Sequence, residues 1–275
     1  MTRPDPNAWR ERNRAVWDDR VRRHDRYIDT ATDEDFRHPL KVVDPLGWLG
    51  NEVIGQRILC LAAGGGRHGP LLASAGALVT VIDLSPEMLT LDRQVATKRG
   101  LNLNLVETSM HDLRPLADAS FDAIIQPVST CYVPDVVAVY REAARVLRAG
   151  GLYVSQHKQP VSLQATAGPI GPRNHFVLTE PGDRREPLPP AGEGCWHREH
   201  GAVEYLHTLE SLLGGLCRAG FTVEDVVEPT QARPAAPVGT FAYRCRFVPP
   251  YLAIKARRRV QPISAPDRSL IVGGS

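Results

Sequence analysis

Three consecutive glycines and one aspartate carry the clearest chemical signal in the sequence. The glycines at 64–66 follow a short apolar run at 58–61, and Asp83 ends a second apolar run at 78–82, 19 residues after the first glycine. Glycine lets a chain turn tightly and approach a ligand closely. An aspartate at about this spacing can accept hydrogen bonds from ribose hydroxyls. The pattern therefore predicts a strand, a turn, a helix and a second strand that together bind a nucleoside.

The glycine spacing by itself leaves the nucleoside open. Gly64-x-Gly66-x-x-Gly69 also satisfies the dinucleotide fingerprint, which is weak evidence when it stands alone. One alternative is therefore a nicotinamide-dependent oxidoreductase, which predicts a Tyr-x-x-x-Lys or another hydride-site signature downstream. We interpret the downstream sequence as lacking one. A glycine-rich turn in some other α/β protein is a further alternative.

The glycine turn is one of several motifs between about residues 55 and 160. Residues 58–66 read Ile-Leu-Cys-Leu-Ala-Ala-Gly-Gly-Gly, residues 81–89 read Val-Ile-Asp-Leu-Ser-Pro-Glu-Met-Leu, and residues 144–154 place two glycines between a helix and a strand. This series resembles the class I S-adenosylmethionine-dependent methyltransferases. Cys60, Ala62 and Ser109 stand where that family has an acid, a glycine and an aspartate. The two lost acids motivate another alternative, a protein that binds S-adenosylmethionine without turning it over.

The resemblance implies that S-adenosylmethionine is the cofactor and implies where it binds. Asp83 would hold the ribose, the glycine turn would pass close to the methionine moiety, and the residues after the second to fourth strands would line the adenine and methionine sides. The implied cofactor-binding residues are Ala62, Ala63, Gly64, Gly66, Asp83, Leu84, Met88, Ser109, Met110, His111, Gln126, Pro127 and Val128.

Periodicity and capping residues predict an α/β fold. Ser85, Pro86 and Gly100 predict a helix over 86–99, and Asp135 predicts one over about 136–148. Other helices are expected at about 7–29 and within 204–219, with strand-like segments at 101–106, 174–178, 221–227, 241–247 and 251–256. We infer a Rossmann-like, doubly wound, seven-stranded sheet; its reversed final hairpin is implied by the resemblance.

The domain boundaries follow from where the α/β pattern is interrupted. Residues 1–55 are expected to form an N-terminal helical extension or cap, and residues 56–256 the methyltransferase domain. A Pro- and Gly-rich insertion at 160–201, after the fifth strand, is expected to act as a lid. Residues 257–275 are expected to be a flexible tail.

Candidates for catalysis and acceptor binding are few, because methyl transfer depends chiefly on positioning. His157 is expected at the end of the fifth strand, where open α/β sheets bind ligands, and could act in catalysis or shape the pocket. His24 and Tyr27 could close over the cofactor or simply pack. Tyr132 and His207 are further acceptor-site candidates with structural alternatives.

The composition of the chain bears on whether it binds nucleic acid, a membrane, a metal ion or a small molecule. The 275 residues carry a net charge of +2, which does not by itself argue for nucleic acid, and no apolar stretch is long enough to span a membrane. Five scattered cysteines indicate reduced thiols and a cytoplasmic protein. Cys195, His197 and His200 match no zinc spacing, so no metal site is expected. We expect a small-molecule acceptor and a monomer or homodimer.

Overall fold

The computed structural model describes residues 7–25, 28–192, 195 and 197–260. A seven-stranded sheet with the order β3-β2-β1-β4-β5-β7-β6 forms its centre. Strands β1 to β5 are parallel, and β7 runs antiparallel to both β5 and β6. The strands are β1 Arg57–Leu61, β2 Leu78–Asp83, β3 Leu103–Glu107, β4 Phe121–Gln126, β5 Leu147–Lys158, β6 Phe221–Val227 and β7 Tyr251–Arg258.

Helices cover both faces of this sheet, which confirms the predicted Rossmann-like architecture. The main helices are α1 Ala8–Arg23, α2 Pro39–Val43, α3 His68–Ser74, α4 Pro86–Arg99, α5 Val136–Val146, α6 Pro160–Gln164, α7 Gly215–Arg218 and α8 Phe241–Arg244. Short 3₁₀ turns lie at Asp35–Arg37 and Thr130–Tyr132, and a π-helical turn at Glu210–Gly214 leads into α7.

Local capping decides where the two best-predicted helices begin. The Ser85 hydroxyl accepts a hydrogen bond from the Met88 amide at 3.1 Å, and Gly100 ends α4 in the left-handed conformation with φ 65°. The Asp135 carboxylate accepts from the Val137 and Ala138 amides at the start of α5. Helix α5 is shorter than predicted because the chain already enters β5 at residue 147.

Two side-chain clusters pack on opposite faces of the sheet, and β5 contributes to both. Tyr153 lies in the cluster under α5, whereas Leu152 and Val154 lie in the cluster under α3 and α4. Side chains alternate between faces along a strand. From Leu152 to its last residue, Lys158, each residue of β5 is therefore assigned to one face by this alternation, and that assignment matters at the site.

The expected strand at 241–247 is wrong. The Thr240 hydroxyl accepts a hydrogen bond from the Tyr243 amide at 3.2 Å and starts α8 instead. The aromatic residues that suggested a strand form a cluster of rings. The ring centroid of Phe247 lies 5.2 Å from that of Tyr243 and 5.7 Å from that of Phe176. The pattern failed because the rings pack against the insertion rather than in the sheet.

Other boundaries also differ from the expectations. Helix α1 ends at residue 23, where His24 adopts a left-handed conformation with φ 51°. The 204–219 segment is helical only from Glu210, and 174–178 contributes isolated bridges rather than a strand. The expected tail begins too early, because Arg257 and Arg258 belong to β7. The rest of that tail, from residue 261, lies outside the described residues.

The start of the insertion is held against the body of the protein by a buried arginine. Arg244 is 1% exposed, and its guanidinium donates to the Ser162 hydroxyl and carbonyl, each at 2.8 Å, and to the Thr166 carbonyl at 3.0 Å. These groups lie in α6 and just after it, where the insertion leaves β5. Buried polar groups without partners are costly, so the guanidinium determines the path of the chain here.

We predict that Arg244→Met lowers the thermal unfolding midpoint by several degrees, because two carbonyls would lose their partner at about 1–3 kcal/mol each. Arg246→Met is the matched control, since Arg246 is exposed and lies over Tyr243 and Phe247 of the same aromatic cluster. Differential scanning calorimetry measures both variants. Equal midpoints for the two variants would contradict this role for Arg244.

Candidate functional site

A cavity of about 530 Å³ lies at the carboxyl ends of the parallel strands. Its wall is formed by the turn after β1, the end of β2, the loop after β4, the last residues of β5 and the first residue of β7. Residues of α1, the loop after β3 and Glu199 of the insertion also contribute to it. Ligands of open α/β sheets bind at this edge, where strand order reverses. The predicted site and the cavity therefore coincide in place.

The glycine turn forms one end of the cavity. Gly64 and Gly65 lie in the wall, and a Cβ on Gly64 would stand 2.9 Å from the Met88 Cβ and 3.0 Å from the Asp83 Cβ. Gly65 has φ 120°, which side-chain-bearing residues rarely adopt. Only glycine lets the backbone pass this close to the end of β2 and the start of α4.

Gly66 does not lie in the cavity wall, contrary to expectation. A Cβ there would come within 3.0 Å of the Leu91 carbonyl, the Thr30 methyl and a Val95 methyl. Its carbonyl accepts a hydrogen bond from the Ala31 amide at 3.0 Å. This glycine therefore makes room for the N-terminal segment and α4 rather than for a ligand.

Asp83 faces the cavity and holds the turn at the same time. One carboxylate oxygen accepts from the Gly64 amide at 3.0 Å and the other from the Ser85 amide at 2.9 Å. Burial raises the pKa of Asp83 to about 6, although these amide bonds oppose the shift. A carboxylate with raised pKa that faces a cavity is well suited to accept hydrogen bonds from hydroxyl groups of a ligand.

A second carboxylate supports the turn from behind, and the sequence analysis missed it. Asp92 of α4 is fully buried and accepts from the Gly65 amide at 2.9 Å, while its other oxygen has no hydrogen-bond partner among the described residues. Burial raises its pKa to about 7. Cys60 is fully buried near this carboxylate, and burial and then the charge of Asp92 raise the pKa of the Cys60 thiol. The acid absent from β1 thus has a counterpart on α4.

The side of the cavity beyond β2 is mostly apolar. Leu84, Met88, Ser109 and Met110 lie in its wall, together with Trp9, which was not predicted. His111 lies outside the wall, because its ring packs 5.4 Å from Trp9 and its Nδ1 is 2.7 Å from the Ser109 hydroxyl. His111 therefore positions these two neighbours.

The loop after β4 divides the cavity. Pro127, Val128 and Ser129 lie in the wall, and Ala62 and Ala63 face them from the turn after β1. The expected lining residue Gln126 is 1% exposed and lies beneath the wall. Its amide donates to the Ser129 hydroxyl at 3.0 Å and accepts from the Tyr153 hydroxyl. It fixes the loop from below.

The expectation that His157 points into the cavity is wrong. Its ring is 1% exposed, its Nδ1 lies 2.7 Å from the Thr130 hydroxyl, and its Nε2 lies 2.8 Å from the Ser155 hydroxyl. It shares a face of β5 with Tyr153 and packs edge-on against Tyr140 of α5. Burial lowers the pKa of His157 to about 3, so it stays neutral there. Alternation along β5 places Gln156 and Lys158, not His157, in the cavity wall.

The other histidine candidates also lie away from the cavity. The Nε2–H of His207 donates to the Thr130 and Val133 carbonyls, each at 3.0 Å, and burial lowers the pKa of His207. These two hydrogen bonds give His207 a structural role, because they hold the 3₁₀ turn Thr130–Tyr132 in place. His24 is exposed at the end of α1 and lies outside the wall. Tyr27 lies outside the described residues.

A buried group of ionisable side chains forms the end of the cavity opposite Asp83. The Lys158 ammonium donates to Glu199 and Glu204, and the Arg198 guanidinium donates to the second oxygen of Glu204 at 2.7 Å. Lys158 and Glu199 lie in the cavity wall, whereas Glu204 is fully buried behind them. Tyr132 lies in the wall too, and its hydroxyl is hydrogen-bonded to Glu199.

The pKa values of these groups follow from burial and mutual contact. Burial alone would lower the pKa of Lys158, but the acidic groups around the ammonium raise it above its usual value. Burial alone would raise the pKa of Glu199, but Lys158 and the hydrogen bonds hold it below its usual value. Burial and the charge of Glu199 raise the pKa of Tyr132. Lys158 is therefore a cation, Glu199 an anion and Tyr132 a neutral donor at neutral pH.

One Tyr-x-x-x-Lys spacing does exist, contrary to our interpretation of the sequence, but it is not a hydride site. Tyr251 and Lys255 lie in β7, where four residues span about 13 Å. Tyr251 lies in the cavity wall, whereas the Lys255 ammonium lies 3.6 Å from Glu224 on β6. The two side chains therefore do not act together.

The described residues show two further features that bear on the class of protein. They contain no group of three or more His, Cys, Asp and Glu side chains that could hold a metal ion. Among the described helices, none is long and apolar enough to cross a membrane.

The closely approaching glycine backbone, the Asp83 carboxylate and the apolar wall around Met110 fit a nucleoside-bearing cofactor. The fold and the cavity thus define an α/β enzyme that binds such a cofactor.

Comparison with known proteins gives the family. A family model described as a methyltransferase domain matches residues 59–155. A protein named as an uncharacterized methyltransferase, YbaJ of Bacillus subtilis, is 36% identical over 195 residues, which cover 69% of this chain and 74% of that one. The crystal structure of an S-adenosylmethionine-dependent methyltransferase from Mesorhizobium loti is 27% identical, covers 78% of this chain and 96% of that one, and has a TM-score of 0.61.

A third similarity is more local. A ubiquinone biosynthesis O-methyltransferase of Xanthomonas oryzae pv. oryzae is 34% identical over 100 residues, which cover 36% of this chain and 42% of that one. Taken together, the chain belongs to the class I S-adenosylmethionine-dependent methyltransferases. It is a methyltransferase whose cofactor is S-adenosylmethionine. The oxidoreductase and the catalytically silent alternatives are thereby set aside.

We predict that the affinity for S-adenosylhomocysteine falls below pH 6. The hydroxyls of a bound ribose donate to an ionised Asp83, so binding lowers its pKa and affinity is lost as pH falls through the value of the free protein, about 6. At pH 5 about a tenth of Asp83 is ionised, and the Kd should be roughly ten-fold higher than at pH 8. Isothermal titration calorimetry from pH 5 to 8 measures this.

Asp83→Asn is the control for this prediction. The variant should bind more weakly at pH 8 and show little change with pH. Because the pKa of Asp92 is raised to about 7, a pH dependence that survives in Asp83→Asn would assign the effect to Asp92 instead. That outcome would contradict the ribose assignment.

Proposed function

We propose that this methyltransferase acts on a small-molecule acceptor, bound in the half of the cavity beyond the loop after β4. The observation that supports this most is the cover over that half. The Asn13 amide of α1 donates to the Val203 carbonyl at 3.0 Å and accepts from the Val203 amide at 2.7 Å. It also donates to the Tyr132 carbonyl at 3.2 Å. A covered cavity suits a small acceptor better than a polymer.

The cofactor occupies the other half in this proposal. Asp83 accepts hydrogen bonds from the ribose hydroxyls, and the backbone at Gly64 and Gly65 passes close to the methionine moiety. Leu84 and Met110 enclose the adenine. The remaining wall residues that we assign to the cofactor are Ala62, Ala63, Met88, Ser109, Pro127 and Val128. Gly66, His111 and Gln126 support this half from behind the wall.

When bound, S-adenosylmethionine supplies a methyl group on a positively charged sulfur. The chain contributes chiefly by positioning the acceptor against that methyl and by excluding water. Trp17 and Tyr132 give this half of the cavity aromatic walls that can hold a planar acceptor. Helix α1 and the insertion then act together as the lid that covers the acceptor. The N-terminal part of the lid keeps the boundaries 1–55, and the insertion is extended from 160–201 to 160–205.

Two further parts of the proposal concern the acceptor atom and the location of the protein. The similarity to a protein named as a ubiquinone biosynthesis O-methyltransferase supports an oxygen acceptor. The five cysteines are unpaired, which supports a cytoplasmic location. A monomer or homodimer is compatible with a site built from one chain.

We predict that the enzyme transfers a tritiated methyl group from S-adenosylmethionine to the low-molecular-mass fraction of a cell extract. Protein and RNA fractions of the same extract, offered in parallel, should stay unlabelled, because a covered cavity suits a small acceptor better than a polymer segment. Asp83→Ala is the control, since a loss of about 1.5–3 kcal/mol in cofactor binding should abolish labelling at low cofactor concentration. Label in protein or RNA would contradict the proposal.

A further inference from the structure

Four ionisable side chains are buried together at the end of β5: Lys158, Arg198, Glu199 and Glu204. Their burial is not explained by a contribution to stability. Lys158 is 6% exposed and Glu199 8% exposed, and taking such groups out of water is costly. An apolar pair of similar size would join the insertion to the sheet at least as well. Glu204 has both oxygens engaged, by Lys158 and Arg198, and can serve as an anchor. Lys158 and Glu199 have bonding capacity left, and both face the cavity.

The hydrogen-bonding capacity that remains consists of a donor on Lys158 beside an acceptor on Glu199. An ammonium has three N–H groups, and those of Lys158 that are accounted for go to Glu199 and Glu204. A carboxylate can accept about four hydrogen bonds; Glu199 is hydrogen-bonded to Lys158, Tyr132 and Glu204, so one acceptor position is left. The wall therefore offers a ligand one N–H donor and one carboxylate acceptor side by side.

We propose that Lys158 and Glu199 form the acceptor-oxygen subsite of the enzyme, which holds a neutral hydroxyl group of the small molecule to be methylated. The inference rests on the proposed small-molecule function and names its substrate class, phenols and alcohols. Lys158 donates to the hydroxyl oxygen, and the hydroxyl donates to Glu199. Both are residues that contact the substrate.

Hydroxyl chemistry matches this pair better than amine chemistry does. An oxygen has two lone pairs, so one can accept from Lys158 while the other attacks. A neutral amine has one lone pair, and a hydrogen bond from Lys158 would occupy the pair that must attack. A carboxylate acceptor would be repelled by Glu199, and a protonated amine would be repelled by Lys158.

The proton balance is also satisfied by this pair. As the oxygen forms its bond to the methyl carbon, the carbon–sulfur bond breaks and its electrons stay on sulfur. The oxygen becomes positively charged, and its proton passes to Glu199. An ether oxygen that carries a proton is strongly acidic, so Glu199 needs only to be ionised and correctly placed, not strongly basic. Lys158 remains protonated throughout.

The position of the pair agrees with this role. Asp83 ends β2 and Lys158 ends β5, with β1 and β4 between them in the sheet. Neighbouring strands lie about 4.8 Å apart, so the two ends of the cavity are separated by roughly 14 Å at the level of the sheet. A cofactor held by its ribose at Asp83 extends past the glycine turn towards β4, and the Lys158 end is left for the acceptor.

The first test measures binding to the protein saturated with S-adenosylhomocysteine, without turnover. Phenol, aniline and toluene are compared by ligand-observed NMR titration. We expect phenol to bind at least about ten-fold more tightly than aniline or toluene, which is the effect of one good hydrogen bond. Lys158→Met should remove this preference. Lys255→Met, which changes a lysine on the neighbouring strand outside the cavity, should keep it.

Lys158→Met leaves Glu199 without its cation and Glu204 with Arg198 alone, and the variant could fail to fold, so a second variant is needed. Lys158→Met/Glu199→Gln removes one cationic and one anionic group and leaves Arg198 paired with Glu204. Calorimetric unfolding and S-adenosylhomocysteine affinity verify the fold of each variant. Equal affinity of the wild-type protein for phenol and aniline would overturn the proposal, as would a preference that persists in the double variant.

The second test identifies the methylated atom. The enzyme and S-adenosylmethionine with a ¹³C-methyl group are incubated with deproteinised extract, and the ¹³C chemical shift distinguishes O-methyl from N-, S- and C-methyl products. An O-methyl signal supports the subsite, and any other class of product overturns it. Transfer to a polymer instead would contradict the small-molecule function, whereas the phenol preference is measured independently of that outcome.

Discussion

The arrangement of the site depends on how four ionisable side chains are buried together at the end of β5. Lys158, Glu199, Glu204 and Arg198 come from segments about 40 residues apart, and removing one of them would leave another without its partner inside the protein. The insertion must therefore pack against the carboxyl edge of the sheet. Its Val203 then meets Asn13 of α1, so the cover over the cavity follows from the same constraint.

The cofactor half has the opposite character, because it holds acidic groups that lack cationic partners. The amides of Gly64 and Gly65 are fixed by Asp83 and Asp92, and burial raises the pKa of both acids. An acid whose folded-state pKa is raised destabilises the fold as pH rises above its unfolded value, and the effect is complete above the folded value. These two buried carboxylates therefore make the turn costly near neutral pH. Ribose hydroxyls that bond to Asp83 would offset part of this cost.

The sequence predicts the cofactor half well because its signals are local. Strand, glycine turn, helix and acid lie within 26 residues at 58–83, and each has its own steric or capping rule. Ser85 and Asp135 start their helices as predicted for the same reason. The errors within this half concern direction: Gly66, His111 and Gln126 are in the right segments but support the wall from behind it.

The acceptor half could not be predicted in the same way. The segment at 154–158 has no alternation of apolar and polar residues that would reveal its two faces, and the choice of His157 over Lys158 is wrong by one residue, which reverses the face. The partners of Lys158 lie beyond an irregular insertion, so no local spacing links them. Likewise, the aromatic run at 241–247 fits a strand until Phe176, far away in sequence, is known to contact it.

The cofactor half and the acceptor half of the cavity are built from different kinds of segment. The cofactor half is built from strand ends and short turns whose conformations are fixed by glycines and caps, so few substitutions there preserve binding. The acceptor half is built from the end of β5, α1 and the insertion, which are joined to one another mainly by side-chain bonds. Changing Glu199 or the residues around it can alter the acceptor without moving the glycine turn. Under the proposed assignment of the acceptor half, acceptor specificity resides in these three elements, whereas the family motifs determine the cofactor.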